Sequence, residues 1–235
     1  MGSEQVKSVH ALQVSQNSSS GTYTTIHLVR HGEVFNPDRV LYERLPDFHL
    51  SERGLRMAHA TGKYISQRND MNTPSAIFAS PLERTVETVS AIVEELTVGG
   101  NATRPFETDE RLIEARNEFR GKRIGYGDGA LWSNGNWKLV TNLWRPSWGE
   151  SYKEIAQRIG DFVYEKVDQH PGGNVLCVTH ESPIWSFRHL LETGHPEHNM
   201  LLRKVGLASI TSFTFEVGTH KLVYIEYVDP ASRVA

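Results

Sequence analysis

The sequence predicts an α/β fold: a three-layer α/β/α sandwich whose central sheet is mostly parallel. Buried, β-branched segments alternate along the 235 residues with segments of helical periodicity, as in folds where helices cover both faces of a sheet. Each of three strands is followed by basic residues where a loop or helix begins. These residues are Arg30-His31, Arg84 and His180. No internal repeat and no second domain boundary interrupts the pattern. The chain therefore predicts a single folded domain over residues 23–235.

The N-terminal half carries one strand and two helix starts. Residues 1–22 are polar, which predicts a disordered tail, and residues 24–29 predict a buried strand. Ser51 is expected to cap the first helix, and Ser80, which is followed by proline, is expected to cap the second. This second cap places Arg84 in the first turn of its helix.

The C-terminal half continues the alternation. Residues 150–168 carry apolar side chains on one stripe and predict an amphipathic helix, and residues 174–179 predict a buried strand. Ser182, also followed by proline, is expected to cap the next helix. Residues 210–216 and 222–227 predict a pair of strands that closes the sheet.

The composition excludes several classes of function. Lys and Arg number 25 and Asp and Glu 28, so the net charge is −3 and no overall basic field exists for nucleic acid or an anionic membrane surface. No apolar run is long enough to span a membrane, and the N-terminus lacks the pattern of a secretory signal. The single cysteine, Cys177, lies in an apolar strand and predicts a buried thiol in a reducing compartment. We therefore expect a cytoplasmic protein that binds neither nucleic acid nor membrane.

The basic residues at the strand ends indicate an anion site. The carboxyl ends of parallel strands meet at one edge of a sheet, in the crevice where open α/β folds bind ligands. His31 is held there by rigid backbone, although a histidine-glycine pair alone is a weak signal. Arg84 opposes the helix macrodipole unless an anion compensates it, although a lone arginine in a first turn is more often solvated. Two arginines and two histidines at one edge suit a phosphate.

Several short motifs follow one another over about residues 24–190. They are Arg30-His31-Gly32-Glu33, Leu50-Ser51-x-x-Gly54, Ser80-Pro81-Leu82-x-Arg84-x-x-x-Thr88, Leu112-Ile113-Glu114, Gly149-Glu150-Ser151 and Val178-Thr179-His180. Their sequences and their order resemble those of the histidine phosphatase superfamily, which also contains the cofactor-dependent phosphoglycerate mutases. Motifs in this order are far more specific than any one of them alone.

This resemblance implies a phosphoglycerate mutase-like fold and a role for each matching residue. His31 is implied to be the nucleophile, which attacks phosphorus in line and forms a phosphohistidine that water then hydrolyses. Arg30, Arg84 and His180 are implied to bind the phosphoryl oxygens, where charge spreads in the transition state. Glu114 is implied to protonate the departing alkoxide and later to take a proton from water. The resemblance implies no metal and no organic cofactor.

The assignment of Glu114 has competing interpretations. Without the other motifs, a surface ion pair with Arg111 or Arg116 is the simpler interpretation of this glutamate. If the alignment of the segment is shifted, Glu110 and Glu118 are the neighbouring candidates for the acid.

Two positions depart from the family pattern. Asn36 lies five positions after His31, whereas the family usually has its asparagine six positions after the nucleophile. Asn36 and Gly32 nevertheless remain candidates for substrate binding. Glu181 follows His180 where the family usually has glycine, and its carboxylate either orients a side chain or repels a second anionic group on the substrate. Neither change removes the nucleophile or a phosphate-binding cation, so we expect an active enzyme.

Residues 115–150 form the least regular stretch, in which arginines and lysines are interleaved with tyrosine and tryptophans. By the resemblance, this region covers the site and sets substrate choice, which suggests a lid-like insertion for a ring-bearing or multiply anionic phosphate ester. The alternative is a packed insertion whose tryptophans fill a small satellite core. His189, His195 and His198 lack a supporting carboxylate or cysteine pattern and predict surface residues rather than a metal site.

The sequence thus predicts a metal-independent phosphomonoester hydrolase that acts on a small-molecule phosphate ester. One alternative is a cofactor-dependent phosphoglycerate mutase, which needs a bisphosphate and further basic residues. The other is a non-catalytic module that binds phosphate or a phosphoprotein. The sequence specifies neither the ester nor the number of chains in the assembly, and a dimer stays open.

Overall fold

The computed structural model describes residues 21–101, 104–123, 130, 133, 149–199 and 202–235. Within these residues six strands form one sheet in the order β3-β2-β4-β1-β5-β6. Their bounds are β1 Tyr23–Arg30, β2 Ala76–Ala79, β3 Glu107–Thr108, β4 Asn174–Thr179, β5 Ile210–Glu216 and β6 Leu222–Val228. The first four strands pair in parallel, whereas β5 and β6 are antiparallel to their neighbours. The mostly parallel sheet and its closing hairpin confirm the prediction.

Helices cover both faces of this sheet. They are α1 Glu52–Ser66, α2 Glu83–Val98, α3 Tyr152–Gln169 and α4 Glu181–Thr193, and a short 3₁₀ turn spans Glu110–Leu112. Neighbouring residues of β1 point to opposite faces: Leu28 packs in one buried cluster with α3 and α4, and Val29 packs in another with α1 and α2. Cys177 is buried in the first cluster, as predicted. None of the described helices is long and apolar enough to cross a bilayer.

One of the three predicted helix caps is confirmed and two are wrong. Ser51 accepts a hydrogen bond from the backbone of α1, and the predicted amphipathic helix begins with a reciprocal capping box at Ser151. Ser80 and Ser182, by contrast, cap nothing: α2 starts at Glu83 and α4 at Glu181, and neither has a side-chain cap. Each serine instead bonds a side chain distant in sequence, and these tertiary bonds replace the local cap.

Two predicted segments lie largely outside the described residues. These are the polar tail, up to residue 20, and most of the lid-like insertion at 115–150. Both remain predictions.

Candidate active site

The strand register brings the two histidine motifs to the same edge of the sheet. Arg30 pairs with Thr179 across β1 and β4, and the His31 N–H donates to the Thr179 carbonyl at 3.1 Å. The next residue along each strand is therefore a histidine, His31 on one and His180 on the other. Their ring centroids lie 5.2 Å apart with an interplanar angle of 64°. The two imidazoles thus face each other in one pocket.

The His31 ring is positioned as a neutral nucleophile. It is 2% exposed, and its Nδ1 lies 2.7 Å from the Gly32 carbonyl oxygen. Because a carbonyl only accepts, Nδ1 carries the proton and Nε2 keeps its lone pair. Burial, together with the positive charges of Arg84 and Arg30, holds the pKa of His31 well below its ordinary value. The unprotonated ring can therefore act as a nucleophile through Nε2.

His180 is fixed from both ring nitrogens. Its Nδ1 lies 3.4 Å from Arg84 Nη2, and its Nε2 lies 2.8 Å from Ser80 Oγ. A guanidinium only donates, so Nδ1 accepts and the Nε2 proton is donated to Ser80. Burial lowers the pKa of His180 well below its ordinary value, and the charge of Arg84 adds to this effect. The second imidazole is consequently neutral as well.

Arg84 is completely buried in the first turn of α2. Its Nη2 donates to the Glu43 carbonyl, and its guanidinium carbon lies 4.9 Å from the centre of the Tyr42 ring. Within the described residues, its Nε and Nη1 are buried and have no hydrogen-bond partner. Burying a cation with two unpaired donors is unfavourable unless an anion binds there. The arrangement therefore suits an anionic ligand.

Arg30, at the end of β1, completes the basic side of the pocket. Its Nη1 donates to the Val205 carbonyl, and its Nη2 pairs with Glu181 at 2.7 Å. Its Nε is buried and, like those two nitrogens of Arg84, has no partner among the described residues. Three guanidinium nitrogens thus remain for a ligand.

Glu114 lies in the loop that follows the 3₁₀ turn. Its Oε1 accepts from the Ala115 N–H at 2.7 Å, and its negative charge acts on both Arg84 and Tyr42. Arg111, the alternative surface partner, is instead paired with two other carboxylates, those of Asp109 and Glu165. The geometry favours Glu114 as the pocket carboxylate, since Glu110 and Glu118 are exposed.

The loop that carries Glu114 is held on both sides by arginines. Arg44 Nε donates to the Glu114 carbonyl at 2.6 Å, and Arg158 Nη1 donates to the Ile113 carbonyl at 2.9 Å. Glu150 joins the two arginines, at 3.0 Å from Arg44 and 2.9 Å from Arg158. This network fixes the backbone from which the Glu114 carboxylate extends.

Tyr42 and Glu43 belong to the pocket although sequence reasoning missed them. The Tyr42 ring lies 6.4 Å from that of His31 and stacks on Phe48 at 5.3 Å, and burial raises the pKa of its phenol. Glu43 is buried with a φ of 40°, in the left-handed region that a non-glycine residue rarely adopts. This conformation directs its carbonyl to Arg84. Neither residue has a sequence signal, because both lie in an irregular loop.

Gly32 and Asn36 have partners within the fold that the sequence did not indicate. A Cβ at Gly32 would lie 2.4 Å from the Gly54 carbonyl oxygen, so the close approach that requires glycine is to α1 rather than to a ligand. The Gly32 N–H donates to Thr88 Oγ1 at 3.1 Å. Both polar atoms of the Asn36 amide bond the backbone of Val40 and close a turn. Any contact of these two residues with substrate stays a prediction.

The part of the chain that the structure describes contains no group of three or more histidine, cysteine, aspartate or glutamate side chains arranged to hold a metal ion. His189 and His198 approach each other, with ring centroids 5.4 Å apart, and the backbone carbonyl of His195 lies 2.7 Å from His189 Nδ1.

Several known proteins are similar to this chain in sequence or in fold. A Mycobacterium tuberculosis protein, "Uncharacterized protein Rv0525", is 39% identical over 211 residues, which cover 89% of this chain and 98% of that protein. The structure of Bacillus stearothermophilus YhfR has a TM-score of 0.70 at 23% identity and covers 89% of this chain and 100% of its own. The structure of the mycobacterial glucosyl-3-phosphoglycerate phosphatase Rv2419c has a TM-score of 0.66 at 23% identity. The match covers 87% of this chain and 97% of that one. At these identities the two structures show a shared fold.

The family model of the histidine phosphatase superfamily (branch 1) matches residues 26–227. This range contains the nucleophile candidate, both arginines of the pocket and the second histidine, and it confirms the resemblance carried by the motifs. The family match supports a phosphatase. Because the matched residues make up most of the chain, the protein belongs to the histidine phosphatase superfamily.

Proposed function

We propose that the protein is a phosphomonoester hydrolase that works through a phosphohistidine at His31. One observation carries the proposal: a neutral imidazole whose Nε2 keeps its lone pair shares a pocket with the fully buried Arg84, which has two unpaired guanidinium nitrogens. The imidazole supplies a nucleophile, and the guanidinium supplies donors for the phosphate that it attacks.

In the first step the phosphate of the ester occupies the space left by the unpaired guanidinium nitrogens. Arg84 and Arg30 bind its oxygens. His180 contributes a further donor once its Nε2 proton turns from Ser80 Oγ to the phosphate, so phosphate binding displaces that hydrogen bond. A guanidinium about 4 Å from a phosphate charge contributes on the order of 4 kcal/mol at an effective dielectric constant of about 20, before desolvation. Glu114 takes up a proton when the phosphate dianion binds beside it. His31 Nε2 then attacks phosphorus, the phosphorus–oxygen ester bond breaks, and Glu114 donates that proton to the leaving oxygen.

The second step returns the enzyme to its starting state. The carboxylate left on Glu114 accepts a proton from a water molecule, which attacks the phosphohistidine from the side vacated by the alcohol. The phosphorus–nitrogen bond breaks, and inorganic phosphate leaves. Because the two arginines neutralise the phosphoryl charge in both steps, the proposed chemistry needs no metal ion.

The test is a hydrolysis screen over sugar phosphates, nucleotides, phosphoglycerates and aryl phosphates with matched histidine variants. We expect His31→Ala to lose turnover by several orders of magnitude. His27→Ala is the matched control and should keep turnover, since His27 is as buried as His31 but lies within β1 and bonds Ser212 rather than the pocket. Trapping with a labelled ester under acid-free quenching should place the phosphoryl group on His31.

Three results would overturn the proposal in different ways. Full activity of His31→Ala would remove this residue from the mechanism. Exchange between phosphoglycerates that depends on a bisphosphate, with little net phosphate release, would identify a mutase. Tight phosphate binding by a folded protein, with no hydrolysis and no trapped phosphohistidine, would identify a binding module.

A further inference from the structure

We propose that Glu181 restricts the pocket to phosphate esters whose leaving group carries no second anionic group. This inference rests on the proposed function, whose substrate class it narrows. It makes Glu181 a residue that determines specificity rather than one that takes part in the chemical step.

The position of Glu181 borders the phosphate site directly. It follows His180 and is the first residue of α4. Its Oε2 lies 2.7 Å from Arg30 Nη2, its Oε1 lies 3.8 Å from Arg203 Nη1, and its side chain is 27% exposed. The carboxylate therefore stands between two guanidinium groups, one of which is a proposed phosphate ligand.

Both cations make further bonds that hold them in place. Arg203 donates from Nη1 to Ser182 Oγ at 3.1 Å and from Nε to His198 Nε2 at 2.9 Å. Arg30 Nη1, the terminal nitrogen that does not contact Glu181, donates a hydrogen bond to the Val205 carbonyl. The Nε of Arg30 is buried and has no partner among the described residues, so it stays available to the phosphate.

Without Glu181 this rim of the pocket would attract anions strongly. Two arginine charges would then be joined by the positive end of α4, a helix of 13 residues that begins without a side-chain cap. The negative charge of Glu181 also acts on Tyr42, which contacts Arg84 and His31, so its field reaches the space that the ester would occupy. A carboxylate or second phosphate on the leaving group would meet this field at close range.

The effect of one such charge is measurable. Two like charges roughly 10 Å apart at an effective dielectric constant of about 20 change an affinity by about tenfold. Glycerol 3-phosphate and 3-phosphoglycerate form a suitable pair of probes, because both are primary phosphate esters and differ by a hydroxymethyl group against a carboxylate.

The experiment measures the ratio of kcat/KM for these two compounds and the ratio of their dissociation constants in the His31→Ala background, where no turnover is expected. We expect the protein to favour glycerol 3-phosphate, and Glu181→Gln to shift both ratios towards 3-phosphoglycerate by about tenfold. Glu181→Asp keeps the charge and should keep the preference. Glu192→Gln removes a charge from the other end of the same helix, where Glu192 pairs with Arg188, and should leave the ratios unchanged.

The role of Glu181 and the proposed function can be overturned separately. Ratios that are equal in the parent protein and Glu181→Gln, or a parent protein that favours 3-phosphoglycerate, would overturn the role of Glu181. Absence of hydrolysis and of trapped phosphohistidine would overturn the proposed function, while the dissociation constants would still decide on Glu181. Equal thermal unfolding midpoints for Glu181→Gln and the parent protein are required, so that a change in fold is not mistaken for a change in specificity.

Discussion

Two groups of arginines in this molecule have the same chemistry and opposite surroundings. At the periphery, Arg68 forms two hydrogen bonds to Asp70, at 2.8 and 2.7 Å, and Arg111 is paired with Asp109 and Glu165. These hydrogen-bonded carboxylates raise the pKa values of both arginines. Arg84 is buried instead, and burial lowers the pKa of its guanidinium.

This difference separates arginines that serve the fold from those that serve a ligand. A peripheral arginine is satisfied before any ligand arrives, so its contribution is a modest surface stabilisation. Arg84 retains two buried nitrogens without a partner in the described residues, which destabilises the free protein. A side chain that lowers the stability of the ligand-free protein is the one that we expect to contribute most to binding and catalysis.

The largest expected effect comes from Arg84→Met. Removing the guanidinium takes away two donors to the phosphoryl group, so kcat/KM for any hydrolysed ester should fall by about 10³-fold or more. The free energy of unfolding should stay the same or rise by about 1–2 kcal/mol, because a desolvated charge has been replaced by an apolar side chain of similar volume. Steady-state kinetics and urea denaturation measure the two quantities.

Arg111→Met is the matched control for this substitution. It should leave kcat/KM within about twofold and lower the free energy of unfolding by up to about 1 kcal/mol. A loss of stability in Arg84→Met larger than that in Arg111→Met would contradict the distinction between the two groups.

A second, smaller effect concerns the carboxylates beside each group of arginines. Glu114 acts on Arg84 without an ion pair in the described part of the chain, whereas Asp109 is bonded to Arg111. Glu114→Gln cannot donate a proton to the leaving oxygen, so kcat/KM should fall by about 10²-fold for alkyl phosphates. For p-nitrophenyl phosphate the loss should be within about fivefold, because nitrophenolate leaves without protonation. An equal loss for both ester types would argue against the acid role, and the exposed Glu118→Gln should affect neither.

The basic residues of the pocket could be predicted from the sequence because strand ends obey a simple geometry. Parallel strands place their carboxyl ends at one edge, so a basic residue after each of β1, β2 and β4 has to converge with the others. The structure places His31, Arg84 and His180 within one pocket by this register. Hydrophobic periodicity likewise located β1, β4, β5, β6 and the amphipathic helix to within about two residues at either end, whereas the two-residue β3 was not predicted.

The loop residues and two of the caps could not be predicted, because they depend on contacts between distant segments. Tyr42 and Glu43 reach Arg84 only through the folded path of an irregular loop, which no periodicity encodes. Ser80 has the sequence of a helix cap, yet its hydroxyl bonds His180, a hundred residues away. Local propensity is a weak preference, and a buried hydrogen bond at the site outweighs it.

The buried histidines extend the comparison to pH. His27 resembles the pocket histidines in being buried, and burial lowers its pKa from 6.5 to about 4. Below pH 6.5 His27 binds a proton in the unfolded chain but stays neutral in the folded chain, which lowers the free energy of unfolding. The full stability is therefore present above pH 6.5 and is lost as the pH falls towards about 4. One such histidine changes the free energy of unfolding by at most about 1.4 kcal/mol per pH unit. Urea denaturation between about pH 7 and pH 5 should therefore show a shallower loss for His27→Gln than for the parent protein, and parallel curves would contradict the assignment.

The smallest expected effect is at the periphery and depends on salt. Arg68→Met removes the pairs with Asp70 and Glu226 and should lower the free energy of unfolding by about 0.5–1 kcal/mol at low ionic strength, with unchanged activity. At about 1 M NaCl the screening length is only about 3 Å, so this loss should largely disappear in urea denaturation. The change in stability of Arg84→Met should persist in salt, because desolvation of a buried group is not screened. A salt-sensitive Arg84 effect beside a salt-insensitive Arg68 effect would reverse the proposed division between arginines that support the fold and arginines held ready for an anion.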